Sequence, residues 1–245
     1  MSVETHQKEN GVLQITLHDP EKRNALGIAM FNGIDEGLLQ VTNRTGCVLL
    51  SGEGNAFCSG FDMKACTNDL SILSTYITRL SILIRSLRRL PVPVVCAAHG
   101  TAIAGGCAIL TGCDFVVGSI NGMYGYPVHR IGISPAVTIP TLFQKLGHGR
   151  ARALVMSGEL INGTDAFSIG LLSHLEESDE KVVPRAIELA ESLAQKPPQA
   201  MQATKQWLNE LDGSLDDALF ELPANDSSSL IGDETQEMLQ KLWKK

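Results

Sequence analysis

The chain has 245 residues, 44% of them hydrophobic and 19% charged, which is the composition of a folded globule with room for one sizeable core. Its formal net charge of −7 repels phosphate backbones, so nucleic acid is excluded as a general partner and any anionic ligand must be met by a local basic patch. No run of residues approaches the length of a membrane span, and the polar start lacks an apolar signal region, which predicts a soluble cytoplasmic protein. Residues 12–17 alternate as a half-buried strand, and residues 19–23 form a turn. Asn24 is expected to cap a helix from Ala25 to about Gln40. Residues 47–50 read as a short buried strand ending in the turn-rich loop 51–55. Ile77, Leu80, Leu83, Ile84 and Leu87 recur at helical spacing and predict a long helix over about 70–90.

Residues 91–98 restart an extended segment, Gly105 and Gly106 open another helix, and Phe115-Val116-Val117 is a further buried strand. Alternating strands and helices predict an α/β fold with parallel pairing through crossover helices. From about Lys181 onward the pattern is helical, broken at Pro197-Pro198 and by an expected loop over 223–229. This gives a core over 1–195 and a helical region over 196–245. The six cysteines form no CxxC pair and read as buried reduced thiols. The six histidines lack ligand spacing, so no metal site is expected, and no Walker loop or GxSxG elbow is present. Arg85, Arg88 and Arg89 form a stripe expected to be an ordinary exposed face.

Two strand-to-helix junctions carry the chemistry: Gly54 to Met63, and Gly100 to Ala108. Small residues crowd both, which lets a ligand approach the backbone. A helix opening at Gly105 presents free N–H donors and a positive dipole end. The bland alternative is tight packing of helix on strand, and each junction alone favours it.

The segment Ala56-Phe57-Cys58-Ser59-Gly60-Phe61-Asp62 resembles the first signature of the enoyl-CoA hydratase/isomerase (crotonase) family. Residues 91–95 through Gly105-Gly106-Cys107 to Asp114 resemble the second. Similarity also touches residues 11–12, 23–26, 146–147, 151–153 and 198–205, so it spans nearly the whole chain. The resemblance implies a spiral of ββα units, then a helical trimerisation region that assembles trimers or hexamers. It implies an acyl-CoA thioester as substrate, no separate cofactor, and an oxyanion hole built by the N–H groups of Phe61 and Gly105. Arg23, Ala25, Ser59, Gly60, Asp62, Lys64, Gly106, Tyr126 and Lys205 are the expected substrate-binding positions, with Lys22 a further phosphate candidate.

The family's catalytic glutamates fall at Ala108, Val128 and Ala136 here, and none of these side chains can move a proton. His129 is the remaining acid/base candidate if the backbone bulges there; in a regular segment it points away from Val128. Three functions therefore stand open. One is an enolate-stabilising lyase or isomerase with a non-standard proton carrier. Another is a catalytically silent acyl-CoA binder, and the last is a thioester or carbon–carbon hydrolase of the same fold.

Overall fold

The computed structural model describes residues 2–67 and 69–243. The main sheet has six strands in the order β1 (Val3–Gln7), β2 (Val12–Leu17), β3 (Cys47–Gly52), β4 (Val94–Ala97), β6 (Phe115–Ser119) and β9 (His174–Glu176). β1 and β2 form an antiparallel hairpin, and every later pair is parallel. A smaller sheet orders β5 (Thr101–Ile103), β7 (Met123–Gly125) and β8 (Leu160–Asn162), parallel then antiparallel.

Uniformly apolar central strands follow from burial on both faces. On one face Val48, Leu50, Val94, Cys96 and Val116 pack toward α1 (Ile28–Leu38), α3 (Ser71–Arg89) and α4 (Gly105–Gly112). On the other, Cys47, Leu49, Val95, Ala97 and Val117 meet α8 (Asp179–Ala194). Helix α8 supplies Val182, Ala186, Ala190 and Leu193, one helical stripe. The short α2 (Met63–Cys66) lies after the first junction, and α5 (Ile139–Leu146), α6 (His148–Ser157) and α7 (Gly163–Ser168) fill the stretch from β7 to β9. The chain ends in α9 (Pro198–Leu211), α10 (Ala218–Ser229) and α11 (Asp233–Trp243). No helix among the described residues is long and apolar enough to cross a membrane.

Three expectations need correction. The first helix begins at Ile28 rather than Ala25, because Arg23 and Asn24 form a turn at positive φ and residues 25–26 then run as a strap that bridges Phe61. Leu26 N–H donates to Gly60 O at 2.7 Å and Asp62 N–H donates back to Leu26 O at 3.0 Å. Asn24, buried at φ +54°, caps nothing; its Nδ2 donates to the carbonyls of Glu53, Ala56 and Phe57 and pins that loop. Residues 223–229 are helical, with Pro223 inside α10. Burial of Phe220, Ala224 and Ser227 offsets the bond Pro223 cannot donate, and Ser81 Oγ anchors Phe220 O at 2.8 Å. The arginine stripe is not a bare face either. Arg85 and Arg89 pair with Asp217, and Arg88 pairs with Asp212, clamping α3 to the chain around α10.

Candidate active site

The two junctions lie side by side. Cys58 bridges Ala102, with Cys58 N–H donating to Thr101 O at 3.1 Å and Ile103 N–H to Cys58 O at 3.2 Å. This pairing draws residues 58–61 along β5 to the start of α4. Gly60 adopts φ +93°, and a side chain there would press on Ala104 Cβ at 3.0 Å and Gly105 N at 3.4 Å. At Gly106 an added Cβ would lie 2.3 Å from Cys58 O, so only glycine permits this approach.

Ala104 holds the least expected geometry, φ +51° and ψ −118°, in a region that costs a residue with a side chain about 1–3 kcal/mol. Its N–H donates to Gly125 O at 2.8 Å, which fixes the bend. The bend turns the chain so that α4 starts abruptly at Gly105, where helix N–H groups have no partner within the helix. Among the described residues, neither Phe61 N–H nor Gly105 N–H donates to a protein acceptor. Both residues line one cavity of about 160 Å³.

The rest of that cavity is mainly apolar, with Ile77 and Leu80 of α3, Ala108 of α4, and Val128, Ile133 and Val137 in its wall beside the hydroxyls of Ser59, Ser134, Tyr126 and Thr138. Among the described residues, no Asp, Glu, Lys, Arg, His or Cys lines it. Its one titratable side chain is Tyr126, whose hydroxyl donates to Cys107 O at 3.3 Å and pairs with Thr138 Oγ1 at 3.0 Å. Burial pushes the Tyr126 phenol well above its ordinary pKa, so it stays protonated and committed to these partners.

The other expected residues fall into two groups. Ser59 lines the cavity, its Oγ donating to Lys22 O at 3.2 Å and its N–H to Arg23 O at 3.0 Å. Arg23 is exposed at φ +50°, Ala25 is half-buried on the strap, and Lys64 is exposed on α2. Asp62 sits at the start of α2 but turns its carboxylate to Lys22 Nζ at 3.0 Å, and that hydrogen bond raises the Lys22 pKa.

Lys205 and His129 lie outside the site. Lys205 is buried, with Nζ 2.7 Å from Asp114 Oδ2 and 2.9 Å from Val92 O, so its charge is spent on internal partners. Asp114 in turn accepts from Val94 N–H at 2.8 Å and holds the entry to β4. His129 is exposed, with Nδ1 beside Gly158, while Val128 faces the cavity. Residues 127–131 form a 3-10 turn, in which successive side chains step around the axis by a third of a turn. Val128 pointing in therefore sends His129 out. Ala136 opens a second 3-10 turn between the lining residues Pro135 and Val137. Cys58 is packing rather than nucleophile, since burial pushes its thiol up to about 12. Among the described residues no cluster of His, Cys, Asp or Glu is fit to hold a metal ion.

The family model for enoyl-CoA hydratase/isomerase matches residues 7–229 of the chain. The chain belongs to the enoyl-CoA hydratase/isomerase family. It is 31% identical over 216 residues to a putative enoyl-CoA hydratase of Thermus thermophilus, covering 84% of each chain. It is 28% identical over 226 residues to the 1,2-epoxyphenylacetyl-CoA isomerase of Escherichia coli, covering 87% of this chain and 84% of that one. Among solved structures, an enoyl-CoA hydratase/isomerase from Xanthobacter autotrophicus Py2 superposes with TM-score 0.89 at 21% identity, covering 100% of this chain and 93% of that one. An enoyl-CoA hydratase from Mycobacterium avium does so with TM-score 0.84 at 26% identity, covering 99% and 96%. The fold is thus the crotonase-like α/β fold expected from the two signatures, and the family binds acyl-CoA substrates. Within this enoyl-CoA hydratase/isomerase family member, the free N–H pair and the apolar wall around it are the features that bear on reaction type.

Proposed function

We propose that this family member binds an acyl-CoA thioester with its carbonyl oxygen between the N–H groups of Phe61 and Gly105, and its acyl group in the adjoining cavity. The observation that carries the reading is the pair of uncommitted backbone donors at one side of a cavity with no carboxylate or imidazole. Donors aimed at a thioester oxygen favour the enolate, and one such donor is worth roughly 3–4 kcal/mol in a transition state. Hydration needs more: a base to activate water and an acid to protonate carbon. Ala108 and Val128 supply neither, and the Tyr126 hydroxyl is held elsewhere. The reading is therefore an acyl-CoA-binding protein that polarises its ligand without side-chain acid/base groups. Lys22, Arg23 and Lys64 are the cations near the first junction for the coenzyme A phosphates, and no cofactor is required.

One observation favours a second reading, that of an enzyme. The strained backbone at Ala104 lies just before the Gly105 donor, and strain of this kind concentrates at working sites. Turnover would then rely on water or on a group of the substrate for its proton, as in lyase, isomerase or thioester or carbon–carbon hydrolase chemistry.

Incubation with 2-enoyl- and 3-enoyl-CoA in heavy water, followed by mass spectrometry, separates the two. Intact unlabelled thioesters that nevertheless bind support the first reading. Deuterated, hydrated or cleaved products support the second. Absence of acyl-CoA affinity overturns both.

Two further proposals rest on the surface and the thiols. Trp207, Leu208 and Leu211 are exposed on α9, an apolar stretch suited to self-association as a trimer or hexamer. A monomer in light scattering would overturn this. Six free buried cysteines suit a reducing, cytoplasmic compartment.

A further inference from the structure

The cavity has an open end and a closed one. Ser59, Phe61, Met63 and Val128 are partly exposed, whereas Leu80, Ala108, Tyr126 and Thr138 are at most 3% exposed. The closed end is held rigidly. The Tyr126 ring lies on the wall while its hydroxyl is tied to Cys107 O at 3.3 Å and Thr138 Oγ1 at 3.0 Å. Swinging the ring aside would strand these buried polar groups. The space within this open-mouthed cavity, about 160 Å³, is close to that of cavities that admit a benzene-sized group, about six carbons. No charged side chain lines it, so a carboxylate carried into it would lose its hydration with no counter-charge in return.

We infer that this site selects hydrocarbon acyl groups of about six carbons or fewer with no charged terminus, and that the Tyr126–Thr138 pair sets the limit. The inference rests on the acyl-CoA reading given above. It is tested by calorimetric titration of the intact protein with coenzyme A alone and with acetyl-, butyryl-, hexanoyl-, octanoyl-, dodecanoyl- and succinyl-CoA. Affinity is expected to rise about fourfold per added methylene up to hexanoyl-CoA, then to level or fall, with succinyl-CoA at least tenfold weaker than butyryl-CoA. A continued rise through dodecanoyl-CoA, or succinyl-CoA binding as tightly as butyryl-CoA, would overturn the inference. If no thioester outbinds coenzyme A, the acyl-CoA reading itself fails.

Two variants locate the limit. Tyr126→Leu enlarges the closed end, and Thr138→Val keeps its volume while freeing the ring. Either one, if folded, should raise the ratio of octanoyl-CoA to butyryl-CoA affinity at least fourfold. An unaltered length profile in whichever variant folds would remove the pair from the assignment.

Discussion

The cavity's two sides are built to different standards. Where the first junction meets α4, the backbone is specified closely: Gly60 at φ +93°, Ala104 forced to φ +51°, Gly106 with no room for a methyl group. Across the cavity, Val128 and Val137 are ordinary apolar packing, both set on 3-10 turns. Under the proposed function, the first side meets a carbonyl oxygen and the second excludes water from it. Binding a thioester and transferring its protons are separable tasks, and on that reading the backbone is invested in the first.

The largest expected effect comes from removing that investment. Gly105→Pro deletes one donor, yet proline is tolerated at the first residue of a helix, so α4 should persist. Any enolate-forming step should slow by about 10²–10³-fold. The carbonyl stretch of a bound thioester, read by infrared difference spectroscopy, should move back toward its free value, with the Phe61 donor alone remaining. An undiminished shift in the folded variant would break the contrast between the two sides. The opposite side is sharpened by an addition. Val128→Glu places a carboxylate at a partly exposed point of the apolar wall. Proton exchange of a bound 3-enoyl-CoA with heavy water should then rise by about 10²-fold, the low end of what a positioned base contributes. No rise in a variant that still binds the thioester would mean that the wall's lack of a base is not what limits exchange.

Much of the architecture was legible because it follows from local chemistry. The uninterrupted apolar runs at 47–50 and 94–97 predict strands buried on both faces, and the glycine junctions predict close approach. What escaped depended on partners far away in sequence or on phase. β1 buries only Val3 of its five residues, too little for a periodic signal. The arginine stripe looked solvated because Asp212, Asp217 and Glu221 lie 124–136 residues downstream. Lys205 looked like a phosphate ligand because nothing local shows that Asp114 will reach it, 91 residues away in sequence. Ala104 carries no mark of its strained conformation, since an alanine in a junction reads only as a small residue. It is imposed by the Gly125 carbonyl and by the packing of Gly60.

That strain yields a smaller, opposite effect. Ala104→Gly removes the side chain that makes φ +51° costly, a gain of about 1–3 kcal/mol. It also adds backbone freedom to the unfolded chain, a loss of about 0.5–1 kcal/mol. The net expectation is a stabilisation of about 1 kcal/mol, seen as a raised denaturation midpoint in urea at unchanged slope. A destabilised variant would show that the methyl group packs usefully at the junction and that the strain is otherwise relieved.

The smallest expected effect falls on the residue that the sequence singled out as a proton carrier. The 3-10 turn over 127–131 leaves no rotation that admits both Val128 and His129 to the cavity. His129 is exposed beside Gly158, on the far side of that turn from the Phe61 and Gly105 donors. His129→Gln should therefore leave acyl-CoA affinity, any solvent exchange, and the pH profile of either unchanged within about twofold. The profile is the discriminating readout, because a side chain that transfers protons in the reaction leaves its own inflection there. Loss of such an inflection on substitution would require the 127–131 turn to rearrange when ligand binds, bringing the apolar wall within reach of a base after all.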